Sequence, residues 1–172
     1  MNVPVELEPE EFRRIFGRLP SGVTVITAHG MDGPIGMAAN SVTSVSLDPP
    51  LLLFCPAKSS STWPKIRDSG AFCVNLMADH HEGAVRRFAM KGADRFVGVE
   101  HTKRPTGLAL TDAVAWIECR LEKEIEAGDH TIVIGQAVAA EVANDSTPLV
   151  FLGGIYGRFH PTPIGDARNT RI

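Results

Sequence analysis

The sequence predicts an all-β-dominated fold, an antiparallel β-barrel with a few helices. Three observations carry this. Alternating and β-branched runs outnumber helical ones. They follow one another in adjacent pairs joined by short turns containing Gly and Asp. Too few helices lie between them to form the crossovers of a doubly wound parallel sheet.

The elements follow in order. PEEFRRIFGRLP places Phe12, Ile15, Phe16 and Leu19 at i, i+3, i+4 and i+7, with Pro9 and two glutamates in the first turn, so an amphipathic helix is expected, stopped by Pro20. GVTVITA reads as a strand over 23–28, and MDGP as a turn into a second strand over 35–46, making a hairpin. Residues 51–55 are apolar on both faces, which predicts a central strand. Pro64 suits the first turn of a short helix and Gly70 its C-terminal cap. A strand over 72–77 follows. Asp79 and Glu82 resemble a capping box for a helix over 81–90. Residues 91–113 show no periodicity and are expected to form a long loop. Over 116–126, Ile117, Cys119, Leu121 and Lys123 alternate with Glu118, Arg120, Glu122 and Glu124, the pattern of a half-exposed strand. The turn AGDH leads into the strand TIVIGQAVAAEV, and LVFLGGIYGRF is the last strand.

The chain has 172 residues, 44% of them hydrophobic and 22% charged, which predicts one domain with a core over about 12–159 and an irregular tail over 160–172. With a formal net charge of −3 and no Lys/Arg block longer than a pair such as Arg86-Arg87, the footprint of a nucleic-acid binder is missing. Cys55, Cys73 and Cys119 are odd in number and lack C-x-x-C spacing, as expected of buried thiols in a reducing compartment. The acidic start lacks the layout of a signal peptide, and no apolar run reaches the ~20 residues of a membrane span. A cytoplasmic protein without membrane contact is expected. The remaining histidines show no metal-ligand spacing, so no metal site is predicted. Neither G-x-S-x-G, a P-loop nor G-x-G-x-x-G is present.

Three stretches carry candidate chemistry. KSSSTW sets Lys58 and four hydroxyls, Ser59, Ser60, Ser61 and Thr62, where a strand ends and a helix starts. Such a place suits an anion, phosphate above all; equally, Ser61 or Thr62 is an N-cap and the others are turn residues. AANSVTS, from Ala38, offers small side chains that admit a flat ligand and donors at Asn40, Ser41 and Thr43, or it is a strand with a polar solvent face. AGDHT carries good turn chemistry in Gly128 and Asp129, while His130 either projects over a ligand at the barrel edge or is an exposed histidine without a role.

Taken in order, GVTVITA, GMAANSVTSVSLDPPLLLFC, KSSSTWPKI, FCVNLM, RRFA, DRFVGV, AGDHTIVIGQA and PLVFLGGIYGRF make the chain resemble, over about 12–159, the flavin reductase family of the FMN-binding split-barrel fold. These are the reductase components of two-component flavin-dependent monooxygenases. The resemblance implies NAD(P)H-dependent reduction of FMN or FAD. It implies that Ser59, Ser60, Ser61 and Thr62 meet the flavin phosphate, with Lys58 as helper, and that Ala39, Asn40, Ser41, Val42, Cys55 and Pro56 hold the isoalloxazine ring. Arg87 and Phe88 match a segment that approaches the flavin, and many relatives carry a neutral residue where Arg87 stands. It further implies that His130, with Tyr156, positions NADH or NADPH, and that the protein is a homodimer with the flavin near the subunit interface, transiently serving a monooxygenase. No Arg/Lys cluster marks a 2′-phosphate site, which favours NADH. The same barrel also houses flavin-binding proteins that use tightly held FMN otherwise or not at all, and fold alone does not separate these from a reductase.

Overall fold

The structure is a computed structural model that describes residues 7–92 and 94–161; most of the tail expected over 160–172 lies outside the described residues. The chain runs α1 (Pro9–Phe16), β1 (Ser21–Gly22), β2 (Thr24–Gly30), β3 (Gly33–Ala39), β4 (Thr43–Leu47), β5 (Pro50–Phe54), α2 (Trp63–Asp68), β6 (Ala71–Leu76), α3 (Glu82–Ala89), β7 (His101–Arg104), β8 (Gly107–Leu110), β9 (Ala115–Ala127), β10 (His130–Val142), β11 (Leu149–Leu152) and β12 (Ile155–Arg158). The main sheet has the order β3-β2-β6-β9-β10-β5-β4; β1-β11-β12 and β7-β8 form smaller sheets. All pairings are antiparallel, as the alternating sequence predicts.

The strand expected over 35–46 is two strands, and they occupy opposite edges of the main sheet. Only residues 40–42 separate them, so the edges lie no more than about 14 Å apart along the chain. Seven strands laid flat would separate those edges by about 29 Å. The short link therefore forces the sheet to curl, and the barrel has a seam where β3 hands over to β4.

Five further expectations are corrected. Residues 51–55 lie one strand from an edge, between β10 and β4, because the barrel's closure covers both faces without a central position. The loop expected over 91–113 contains the β7–β8 hairpin, whose second strand is wholly buried. Buried Asn75 and Thr27 clamp it: the Asn75 amide donates to Leu108 O at 3.0 Å and accepts from Leu110 N at 2.8 Å, while Thr27 Oγ1 donates to Leu108 O at 2.6 Å. This hairpin covers β9, so Glu118, expected on an exposed face, is buried and accepts from Thr106 Oγ1 at 3.0 Å. The last strand is a hairpin, turned by Gly153 and Gly154 with φ of +60° and +87°, the left-handed pair a tight two-residue turn needs. Asp79 does not cap α3; its carboxylate forms an ion pair with Arg158, 3.1 Å from Nε, and a 3-10 turn, Asp79–His81, precedes the helix.

The core has two main parts. Phe54 sits edge-on to Trp63 and Phe72, with ring centroids 5.3 and 5.4 Å away, among Ile26, Ile66 and Val133. Val25, Met77, Val85, Phe88 and Leu149 form the second part, under α3. α2 begins and ends as expected, with Pro64 in its first turn and Gly70 at φ +69° after it.

Candidate functional site

A cleft of about 290 Å3 opens at the seam. Three segments converge there: residues 37–41 at the end of β3, residues 55–57 and 59–62 after β5, and Phe88, Ala89, Lys91 and Arg95 from α3 and the loop beyond it. The long β9–β10 hairpin steadies the second segment. Thr131 N donates to Pro56 O at 3.0 Å, Lys58 N donates to Asp129 O at 2.9 Å, and Ala57 bridges His130.

The four hydroxyls divide their work. Ser60 Oγ accepts from the backbone N–H of Trp63 at 3.1 Å and of Thr62 at 3.3 Å, so Ser60 caps α2. The helix-start amides are thereby engaged, and an anion here would meet side chains instead. Thr62 Oγ1 accepts from Arg95 Nη1 at 2.7 Å. Ser59 and Ser61 line the cleft, and among the described residues their hydroxyls have no protein partner.

Arg95, to which sequence reasoning gave no role, supplies the cation at this end. Its guanidinium donates to Gly36 O at 2.7 Å, to Thr62 Oγ1, and to Met90 O from Nε and Nη2 at 3.1 and 2.7 Å. Four of its five N–H donors are thus engaged, leaving one. Burial lowers its pKa from the usual value, but an arginine stays charged at any physiological pH. Lys91 also lines the cleft. No spacing rule points to Arg95, because its position depends on the acceptors that Gly36 and Met90 set within its reach. Lys58 is turned away: its ammonium pairs with Glu126 at 3.2 Å. Arg87 is likewise directed to Val97 O and does not line the cleft.

The other end is walled by small and flat groups. Ala39, Asn40, Ser41, Cys55 and Pro56 line it. Ser41 Oγ accepts from Cys55 N at 2.8 Å and so ties the β3–β4 link to the end of β5. Val42 does not line the cleft and instead packs, half-buried, against the first core cluster. Phe88 is buried, meets Phe96 edge-on at 5.1 Å, and forms one wall; a Cβ on Gly36 would stand 2.6 Å from its ring, so that glycine admits the phenyl group.

A second cavity of about 160 Å3 abuts the first, sharing Ala38, Ala39, Asn40 and Ala89. It ends at Phe151 and Tyr156, with ring centroids 5.2 Å apart, and the Arg86 guanidinium lies 4.8 Å from the centre of the Tyr156 ring. His130 and Tyr156 therefore do not share a cavity. His130 flanks the first, beyond Ala57, and its Nδ1 lies 2.8 Å from Asp129 Oδ1. That contact lowers the Asp129 pKa and orients the ring.

The two cavities together fall in the ~300–1,000 Å3 range of small-molecule sites. Hydroxyls and an arginine at one end, with a small-residue wall at the other, fit a flat polycyclic ring carrying a phosphate. Among the described residues, no group of three or more His, Cys, Asp or Glu is placed to hold a metal ion.

Comparison with known proteins agrees. The family model for the flavin reductase like domain matches residues 16–160. A flavin reductase of Pseudomonas putida is 44% identical over 155 residues, covering 89% of this chain and 91% of that protein. The reductase subunit HsaB of a flavin-dependent monooxygenase from Rhodococcus jostii (strain RHA1) is 37% identical over 156 residues, covering 90% of this chain and 80% of its own. Among solved structures, the NADH:FAD oxidoreductase SgcE6 of Streptomyces globisporus C-1027, in complex with NAD and FAD fragments, superposes with a TM-score of 0.84 at 36% identity, covering 94% of this chain and 98% of that one. Barrel, seam and cleft thus coincide with a match across nearly all the described residues, and the chain belongs to the flavin reductase-like family of split-barrel proteins.

Proposed function

We propose that this protein is an NAD(P)H:flavin oxidoreductase that reduces FMN or FAD, with NADH the favoured donor, and passes reduced flavin to a partner flavin-dependent monooxygenase. It works as a homodimer in the cytoplasm. The observation that carries this reading is the cleft itself, with Ser59, Ser61, Thr62 and Arg95 at one end and the small wall of Ala39–Ser41 and Cys55–Pro56 at the other. Relatives named as flavin reductases and as monooxygenase reductase subunits support it. No helix among the described residues is long and apolar enough to cross a membrane, and all three thiols are unpaired, as a reducing compartment would leave them.

Flavin, when bound, supplies the ring that accepts hydride from the nicotinamide. The chain's own residues bind and orient. Ser59, Ser61, Thr62, Arg95 and Lys91 hold the phosphate. Asn40 and Ser41, with the backbone at Cys55–Pro56, set the ring's edge, and Phe88 closes one side. His130, held by Asp129, positions the pyridine nucleotide from the flank. Face-to-face stacking and donors for developing negative charge are the main requirements, so the site needs no paired carboxylates or activated nucleophile.

The test is NADH oxidation by purified protein with and without added FMN or FAD. Turnover that depends on added flavin is expected. Protein that stays yellow through dialysis and ignores added flavin would replace this reading with that of a tightly bound flavoprotein. His130→Ala should raise the apparent KM for NADH with kcat largely kept; an unchanged KM removes His130 from the role.

A further inference from the structure

The second cavity, of about 160 Å3, is almost wholly apolar: among the residues that line it, only Asn40 and Tyr156 have polar side chains. An apolar cavity of about 150 Å3 holds a benzene ring, so one six-membered ring fits. The cavity prolongs the ring end of the first cleft, with which it shares Ala38, Ala39, Asn40 and Ala89. A ring lying in it is therefore end to end with a ring in the cleft, whereas hydride transfer sets the two reacting rings face to face. A nicotinamide here would also bury its carboxamide among alkyl and phenyl groups, at the cost that an unpaired amide carries. The dimethylbenzene edge of a flavin has no polar atom, and it lies opposite the polar edge that suits Asn40, Ser41 and the backbone at Cys55–Pro56.

Charge fixes the aromatic wall of this cavity. Tyr156, on β12, meets Phe151 of β11 at 5.2 Å between ring centroids. The Arg86 guanidinium, from α3, lies 4.8 Å from the centre of the Tyr156 ring, drawn by its electron-rich face. Arg86 is itself held: its Nε donates to Glu82 Oε1 at 2.8 Å, one helical turn back. On an exposed helix face such a pair alone contributes little to stability; its consequence lies in the ring it pins. Arg158, two residues beyond Tyr156 and so on the same side of β12, pairs with Asp79 at 3.1 Å, just before α3. Two ties thus join β12 to the helix whose Val85 and Ala89 form another wall of the cavity. A wall fixed in advance spares a ligand the entropy of ordering it.

We infer that Tyr156 belongs to the flavin rather than to the pyridine nucleotide, as the wall that receives the dimethylbenzene edge of the ring, and that Glu82 and Arg86 are positioning residues acting through it. This rests on the flavin reductase reading above and adds which side chains grip the apolar edge of the ring. It parts Tyr156 from His130, which flanks the other cavity beyond Ala57.

Tyr156 is the single tyrosine of the chain, so full-length protein labelled with fluorotyrosine gives one fluorine NMR resonance from it. Saturating FMN and saturating riboflavin are expected to shift that line equally, through the ring current of the flavin, and NAD+ alone to leave it in place. Arg86→Met should move the line of the free protein and raise the Kd for FMN about threefold, with Glu82→Gln acting in the same direction. Tyr156→Ala should raise that Kd about tenfold, and Arg86→Met should add nothing in its background. The KM for NADH at saturating FMN should stay within about twofold of wild type throughout, because the pyridine ring does not meet this wall. A line that either flavin leaves unmoved, or a KM for NADH that rises while the Kd for FMN holds, overturns the assignment of Tyr156. Effects of Arg86→Met that add to those of Tyr156→Ala overturn the positioning role. The fluorine titration needs no substitution at Tyr156, so the assignment is decided even if Tyr156→Ala fails to fold. FMN that shifts the line in a protein unable to oxidise NADH would overturn the reductase reading and leave this one standing; failure of FMN to bind overturns both.

Discussion

Replacing Arg95 with alanine removes the guanidinium from the phosphate end of the cleft and leaves the ring end untouched. Of its five donors, four are engaged by Gly36 O, Thr62 Oγ1 and Met90 O, so one remains for a ligand. A hydrogen bond to a charged group contributes about 1.5–3 kcal/mol. A single such bond to the phosphate therefore corresponds to about a 10- to 150-fold loss of affinity for FMN, at 1.4 kcal/mol per tenfold. Riboflavin has the same ring without the phosphate, so its affinity should change less than threefold. Fluorescence titration of both ligands against wild type, Arg95→Ala and Arg95→Lys measures this directly, with lysine expected to recover part of the loss through its charge. Arg95 also ties Met90 O to Gly36 O, and a general collapse of the cleft would weaken both ligands alike. Equal weakening of FMN and riboflavin, or no weakening of either, would refute the assignment of Arg95 to the phosphate.

The other predictions concern thiols, acid and packing. Burial pushes the Cys73 and Cys119 thiols up to about 12 and raises that of Cys55 as well, but only Cys55 lines the cleft, so at pH 8 one thiol should react more rapidly than the other two in the native protein and all three should react in denaturant. Added FMN should slow the rapid one, and two rapid thiols in the native protein would contradict the described burial. His81 Nδ1 accepts the Ala78 N–H at 3.2 Å, and burial, followed by the neighbouring His80, lowers its pKa despite Asp112 and Asp79. Because the folded chain takes up this proton less readily than the unfolded one, stability should be full above about pH 6.5 and fall as pH drops from there towards the lower folded value. Urea midpoints between pH 5 and 7.5 should show the slope, and His81→Gln should flatten it; an unaltered slope would assign it to other groups. Gly107→Ala places a Cβ 2.5 Å from Thr27 O and 3.0 Å from Cys73 N, both backbone atoms without a side chain to move aside. Overpacking of this kind costs about 1–3 kcal/mol, and a denaturation midpoint equal to wild type would show that β8 is not held as described.

Local chemistry made much of the fold legible. Alternation marked β9 and β10, Pro64 and Gly70 bracketed α2, and the apolar spacing of Phe12, Ile15 and Phe16 marked α1. The misses share a cause. HTKR carries no apolar alternation, yet β7 forms because Asn75 and Thr27 engage the backbone of its partner β8 from elements some 30 and 80 residues away. Glu118 reads as an exposed position until that hairpin covers it. The Gly153-Gly154 turn was legible in principle, since paired glycines between alternating runs signal a tight hairpin.

Within the candidate site, the sequence by itself determined which groups are available: a run of hydroxyls after β5, small residues after β3, and a histidine opening β10. Their type and order are local properties, written in single stretches of chain. Only the tertiary structure decided which of them meet. Closure of the barrel brings residues 37–41 against residues 55–62, and folding of the segment after α3 places Arg95 on Thr62 while Lys58 and Arg87 pair elsewhere. The physical reason is that a charged side chain settles on whichever acceptors the folded backbone sets within its reach, and those acceptors come from parts of the chain that no local pattern connects.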